Sequence, residues 1–153
     1  MTAHAETGTS PAFASPAAAP TSPDGDIAVV RAGFGALAQG DLAGFGEVFH
    51  VDATWNHRND DRLGGIKWGR DAIVAFVAES GQASAGTLRA VPLAMMADGH
   101  GLVAAPMRVS ASRPDGRTFD DPQMLLFRID GGLVRSVDQF VGDPAVVTAF
   151  WAD

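Results

Sequence analysis

Two candidate proton carriers and three side chains rich in N–H donors give this chain the means to move a proton and to hold the charge that the move creates. His57 is the foremost, because an imidazole titrates near neutral pH and can both take a proton and return it. Asp121 stands in an apolar run, and a carboxylate withdrawn from water binds its proton more tightly, so it is a second candidate base. Gln123, Gln139 and Arg108 carry N–H groups suited to a carbonyl oxygen on which enolate charge develops. Each has a plainer alternative. His57 can be a hydrogen-bonded structural residue at a strand end, and Arg108 can pair with Asp121 or Asp138 across neighbouring strands.

Other chemistries fail on residue type or spacing. The chain has no cysteine, which excludes disulfides, thiolate metal sites and a cysteine nucleophile. His50 and His57 with Asp60 or Asp61 match no common metal-ligand spacing, so no metal and no cofactor is expected. Gly33-Phe34-Gly35 with Gly40 lies inside a helical pattern rather than after a strand, which is the wrong context for a phosphate loop. No Gly-x-Ser-x-Gly elbow occurs. A net charge of -7 without any Lys or Arg run repels phosphate backbones, so nucleic acid is not an expected partner.

The elements that must position these residues follow from periodicity and capping. At 153 residues, 46% hydrophobic and 19% charged, the chain suits one domain with a single core. Residues 1–25 are rich in Ala, Pro, Ser and Thr, lack apolar periodicity, and read as a disordered leader rather than a secretory signal. No apolar run is long enough to span a bilayer, and a soluble cytoplasmic protein is expected, with no membrane partner. Ile27, Val30, Phe34 and Leu37 predict a first helix over 26–39, capped by Asp24 or Asp26 and ended by Gly40. Asp41 caps a short second helix through Leu42 and Phe45, and residues 53–57 form a strand with Trp55 and His57 on one face. A polar, glycine-containing loop precedes a third helix over 71–79.

Extended runs over 87–97, 102–112, 117–129 and 133–142 are separated by Asp-Gly and Pro-Asp-Gly turn chemistry and read as an antiparallel meander. Pro92, Pro106 and Pro122 each remove a ladder donor and mark bulges or edge positions in a strongly curved sheet. Asp143-Pro144 opens a last short helix. In the third run Phe119, Asp121, Gln123, Leu125 and Phe127 share a face, opposite Pro122, Met124 and Leu126. Both faces are partly apolar, which predicts packing on both, one lining a pocket and the other meeting a second copy in a homodimer. Parity alone leaves open which set faces in.

The order of these pieces resembles the nuclear transport factor 2-like superfamily, which includes SnoaL-like cyclases and ketosteroid isomerases. The residues that carry the resemblance are the Gly40-Asp41 corner, Phe49 to Trp55, Gly69-Arg70-Asp71-Ala72-Ile73, Arg113 to Arg117, and Asp138 to Asp143 running to Phe150-Trp151. It implies an α+β, cone-shaped domain over residues 26–153, a curved antiparallel sheet packed on three N-terminal helices with a short C-terminal helix. By comparison with the isomerases, His57 stands at their carboxylate base, Gln123 at their protonated acid and Gly33 near their tyrosine, and this chain has no tyrosine. Limonene epoxide hydrolases are matched by Arg108, but Ser110 and Gln139 replace their aspartates; the cyclases' catalytic Asp and His fall on Gln139 and Leu125.

The resemblance therefore implies a pocket presenting Trp55, His57, Arg108, Ser110, Asp121, Gln123 and Gln139, with His57 and Asp121 catalytic and the others binding substrate. The expected function is a cofactor-independent isomerase, cyclase or dehydratase acting on a mostly apolar, polyketide- or terpenoid-like molecule. The alternatives are a non-catalytic small-molecule binder and a dimerisation module. Trp55, Trp68 and Trp151 are expected in the core or pocket wall, and Asn59 to Arg62 in a solvated loop able to act as a lid.

Overall fold

The computed structural model describes residues 21–153; the expected leader lies outside the described residues as far as residue 20. Helix α1 (Pro23–Ala38) begins earlier than its apolar stripe, because Ser22 accepts from the Gly25 amide at 3.2 Å and Pro23 opens the first turn. Asp26 is not the cap; it is buried and accepts the Thr21 hydroxyl. Helix α2 (Leu42–Glu47) is capped by Asp41, whose carboxylate accepts from Gly44 at 2.8 Å, and it runs into strand β1 (Phe49–Arg58).

The segment expected to be a loop contains a further strand, β2 (Gly65–Trp68), antiparallel to β1. Helix α3 (Arg70–Ala83) runs past Glu79, the end expected from the sequence, and stops where Ala85 and Gly86 adopt left-handed φ of 50° and 76°. Beyond it lie β3 (Arg89–Pro92), β4 (Met96–Ala97), β5 (Leu102–Ser112), β6 (Thr118–Asp130), β7 (Leu133–Phe140) and helix α4 (Pro144–Trp151).

The strand order is β2-β1-β7-β6-β5-β3, with β4 also on β5. Pairing is antiparallel except at one seam: β1 runs parallel to β7, so the sheet is mixed rather than a pure meander. Two register shifts, between Phe49 and Thr54 and between Arg128 and Ile129, accompany its curvature. The prolines occupy edge-like places instead of bulges. Pro92 ends edge strand β3, Pro106 faces the gap between β3 and β4, and Pro122 lies beyond the last β6–β7 pair, Met124 with Phe140.

Helices cover the inner face, and the core lies between. Trp55 sits among Phe45, Phe49, Phe76 and Phe127 at ring separations of 5.8 to 6.5 Å. Phe119, Phe150 and Trp151 form a second cluster that docks α4. Trp68 departs from expectation: it pairs with Thr54, shares that residue's outward parity, and is 72% exposed. Among the described residues no helix is long and apolar enough to cross a membrane.

Candidate functional site

Strand pleat decides which side chains face inward. Trp55 and His57 on β1, Gln139 on β7, Gln123 and Leu125 on β6 and Met107 and Val109 on β5 line one cavity, closed from the helical side by Phe76, Ser80 and Trp151 among others. Its volume is about 90 Å³ as open to the centre of a water-sized sphere. Its wall is predominantly apolar.

His57 is the chemically distinctive group. It is only 3% exposed, and its Nε2 lies 2.9 Å from Oδ2 of Asp61, whose side chain is fully buried. An ionised carboxylate only accepts, so Nε2 carries a hydrogen, and in the neutral imidazole Nδ1 has a bare lone pair. Nδ1 is buried and has no hydrogen-bond partner among the described residues. A buried unpaired nitrogen is costly, and His57 is one of the residues that line the cavity.

Asp61 is a residue that the sequence reading placed in a solvated lid, and the structure corrects this. The chain reverses after β1 through an Asn59 amide to His57 carbonyl bond of 2.9 Å, which carries Asp61 back beneath the imidazole. Its Oδ1 accepts from the Leu63 amide at 2.7 Å, and its Oδ2 accepts from Asn59 as well as His57. Burial raises the carboxyl's proton affinity, but the hydrogen bonds from His57 and Asn59, the imidazole's charge and the Leu63 amide outweigh it and hold the group below the usual carboxylate range. The loop is pinned further. Asn59 also donates to Thr148 of α4, Arg62 reaches Glu79 and the Trp151 carbonyl, and the Lys67 ammonium donates to the carbonyls of Leu63, Gly64 and Gly65. A Cβ at Gly64 would collide with the Asn59 carbonyl, so the tight reversal requires glycine there. Burial pushes the Lys67 ammonium down, against the pull of Asp61 and Glu79.

The second polar group is a directed chain. Trp55 Nε1 donates to Gln139 at 2.9 Å, Gln139 Nε2 to Gln123 at 2.7 Å, and Gln123 Nε2 to Asp121 at 3.1 Å. An indole can only donate and a carboxylate only accepts, so the two ends fix the orientation of both amides.

Asp121 does not line the cavity. Its oxygens also accept the backbone amides of Gly142 and Asp143, both at 2.9 Å, which ties β6 to the turn before α4. Three donors on its two oxygens give it the contacts of an anchor, away from the cavity. Gly142 is needed because a Cβ there would meet the Pro122 carbonyl and the Asp121 carboxylate.

Arg108 and Ser110 lie on the opposite face of β5 from Met107 and Val109, away from the cavity. Arg108 is paired with Asp120, Nε to Oδ1 2.6 Å, with both side chains more than half exposed. The partner is thus neither Asp121 nor Asp138. Asp138 instead pairs with Arg58 at 2.8 Å. Ser80, which the sequence reading overlooked, reaches the cavity one helical turn beyond Phe76 and donates to its carbonyl at 2.8 Å.

Comparison with known proteins agrees with this architecture. The model of the SnoaL-like domain matches residues 30–137. The uncharacterized protein Rv0034 of Mycobacterium tuberculosis is 32% identical over 129 residues, 84% of this chain and 98% of that protein. Among solved structures, Bal32a from a soil-derived mobile gene cassette superposes with a TM-score of 0.81 at 28% identity, over 84% of this chain and 98% of that one. An NTF2-like protein of unknown function from Burkholderia pseudomallei gives a TM-score of 0.75 at 20% identity, over 84% and 98% of the two chains. The chain therefore belongs to the SnoaL-like domain family, within the nuclear transport factor 2-like superfamily.

Proposed function

We propose that this protein is a cofactor-independent acid–base enzyme of the isomerase, cyclase or dehydratase type, acting on a small, mostly apolar molecule with His57 as the proton carrier. The observation that carries the reading is the buried, unpartnered Nδ1 of His57, a residue of the cavity wall, with Nε2 held by Asp61. In the proposed step a substrate C–H bond breaks, its proton goes to Nδ1, and its electron pair forms an enolate. Asp61 stabilises the imidazolium, and amide N–H groups of Gln139 and Gln123 receive the oxygen on which charge develops. The imidazolium then returns the proton to another carbon, or to a departing hydroxyl, and the neutral base is restored.

Deuterium incorporation into small ketones incubated with the protein in heavy water, followed by NMR, tests the reading. Incorporation that disappears in His57→Ala supports it; incorporation that persists in that variant overturns it.

We further propose that a second copy covers the outer face of the sheet. Trp68, Ile66 and Phe140 are exposed there, and Met124 and Leu126 share the face with Phe140 through strand register. Exposed apolar surface of this continuity favours association.

A further inference from the structure

A buried carboxylate beside an imidazole stabilises the doubly protonated ring, because the opposite charge favours the added proton. Asp61 is such a carboxylate, and a ring that holds hydrogen on both nitrogens has no lone pair to offer. A base at His57 therefore needs the charge of Asp61 to be met by another cation, a requirement that rests on the acid–base reading above.

Lys67 is placed to be that cation. It lies on β2 opposite Trp55, on the inward side of the strand, and is partly buried while its neighbours Ile66 and Trp68 are exposed. Its ammonium donates to the carbonyls of Leu63 at 2.5 Å, Gly64 at 2.8 Å and Gly65 at 3.3 Å. All of its hydrogens are thereby taken, so it acts as a fixed charge and not as a donor to a ligand. Leu63 serves both charges, giving its amide to Asp61 and its carbonyl to Lys67. Phe76 joins Lys67 to His57: the ammonium lies 4.9 Å from the ring centroid, and the imidazole centroid lies 6.0 Å from it. An imidazolium would be a second cation beside the same ring. Burial pushes the ammonium down, and the charges of Asp61 and Glu79 pull it up.

The other charges around the imidazole are engaged elsewhere. Glu79 on α3 pairs with Arg62 at 2.7 Å, and Asp138 on β7 pairs with Arg58 at 2.8 Å. Asp60 on the reversal is exposed, and Arg108 on β5 faces away from the cavity. Asp121 on β6 stands behind Gln123 and would favour an imidazolium, as Asp61 does. The residues by which α1 and α4 line the cavity, Phe34, Leu37 and Trp151, carry no charge.

We propose that Lys67 is a positioning residue: its ammonium is the standing counter-ion of Asp61, so that the carboxylate orients His57 through Nε2 without drawing a proton onto Nδ1.

Lys67→Met removes the charge and keeps an unbranched stem. In ¹⁵N-labelled protein at pH about 7, NMR of the ring nitrogens should show the ratio of doubly to singly protonated His57 rise about tenfold or more over the wild type, with the Nε2 hydrogen retained. Lys67→Arg keeps the charge and should keep the wild-type ratio. The inference is overturned if Lys67→Met leaves the ratio unchanged, or if Lys67→Arg matches Lys67→Met. It is equally overturned if the Nε2 hydrogen of Lys67→Met is lost or shared between the two nitrogens, which would make Lys67 a brace of the loop alone. Should Lys67→Met fail to fold, the side-chain ¹⁵N resonance of Lys67 in the wild type decides. An ammonium is expected there while His57 carries a single hydrogen, and a neutral amine overturns the proposal. A wild type that deuterates no ketone, with His57 responding to Lys67→Met as expected, would sink the acid–base reading and leave the counter-ion standing. Deuteration of ketones alongside an indifferent His57 in Lys67→Met would do the reverse.

Discussion

The imidazole of His57 and the carboxylate of Asp61 meet at 2.9 Å, both buried, and the contact fixes which ring nitrogen holds the hydrogen. Because Asp61 accepts the Nε2–H, Nδ1 is the nitrogen left for the proposed base. Both Asp61 oxygens receive donors, so an asparagine at this position sets its NH2 group against one of them. Asp61→Asn is therefore expected to lower proton-transfer turnover by about 10²-fold or more, and His57→Ala by about 10²- to 10⁴-fold. Steady-state kinetics on any ketone that the wild type deuterates measures both; a variant Asp61→Asn with full activity would remove Asp61 from the account.

Asp121 is expected to behave as a structural carboxylate. Removing it strands the side-chain amide of Gln123 and the backbone amides of Gly142 and Asp143. Asp121→Ala should cost about 3 kcal/mol or more in urea unfolding. A variant that keeps its stability but loses turnover would return Asp121 to a catalytic role.

Arg108 is expected to contribute little to either property. Its pair with Asp120 is solvent-exposed and screened, and its side chain lies on the far face from the cavity. Ligand titration of Arg108→Ala should reproduce the wild-type affinity, and a tenfold loss would contradict the placement.

Acid should weaken the fold through Asp61. Its carboxyl lies below the ordinary value of 3.8 when folded, so the unfolded chain binds the proton more readily. The stabilisation is present in full above the unfolded value and is lost as pH falls through the folded one. Asp115, held at about 2 by hydrogen bonds from Arg117, adds loss as pH falls toward that value. Urea midpoints measured downward from about pH 5 should fall, and Asp61→Asn should make that fall shallower.

Association through the outer face predicts that Trp68→Lys with Phe140→Lys yields monomers where the wild type sediments as a dimer. A wild type that is monomeric at high concentration would refute the proposed partner.

What was legible in the sequence was local. Asp41 and the Asp143-Pro144 pair marked the α2 and α4 starts because a cap acts within three residues, and alternation put Trp55 and His57 on one face of β1. Facing on β5 was not legible. Both of its faces are partly apolar, so the inward set was settled only by pairing, which turned Met107 and Val109 in and Arg108 and Ser110 out. Asp121 shares its face with Gln123, yet lies past the end of β7 and meets the Gly142 turn instead of the cavity. The role of Asp61 depends on a reversal between Asn59 and Gly64, and no periodicity encodes where such a loop brings a side chain.

The most direct test is the tautomer of His57. In ¹⁵N-labelled protein near pH 8, NMR should find hydrogen on Nε2 and none on Nδ1, with the Nδ1 resonance moving when a small ketone that the protein deuterates is added. A spectrum with the hydrogen on Nδ1, or an Nδ1 resonance indifferent to ligand, would contradict the claim that this nitrogen is the base of the site.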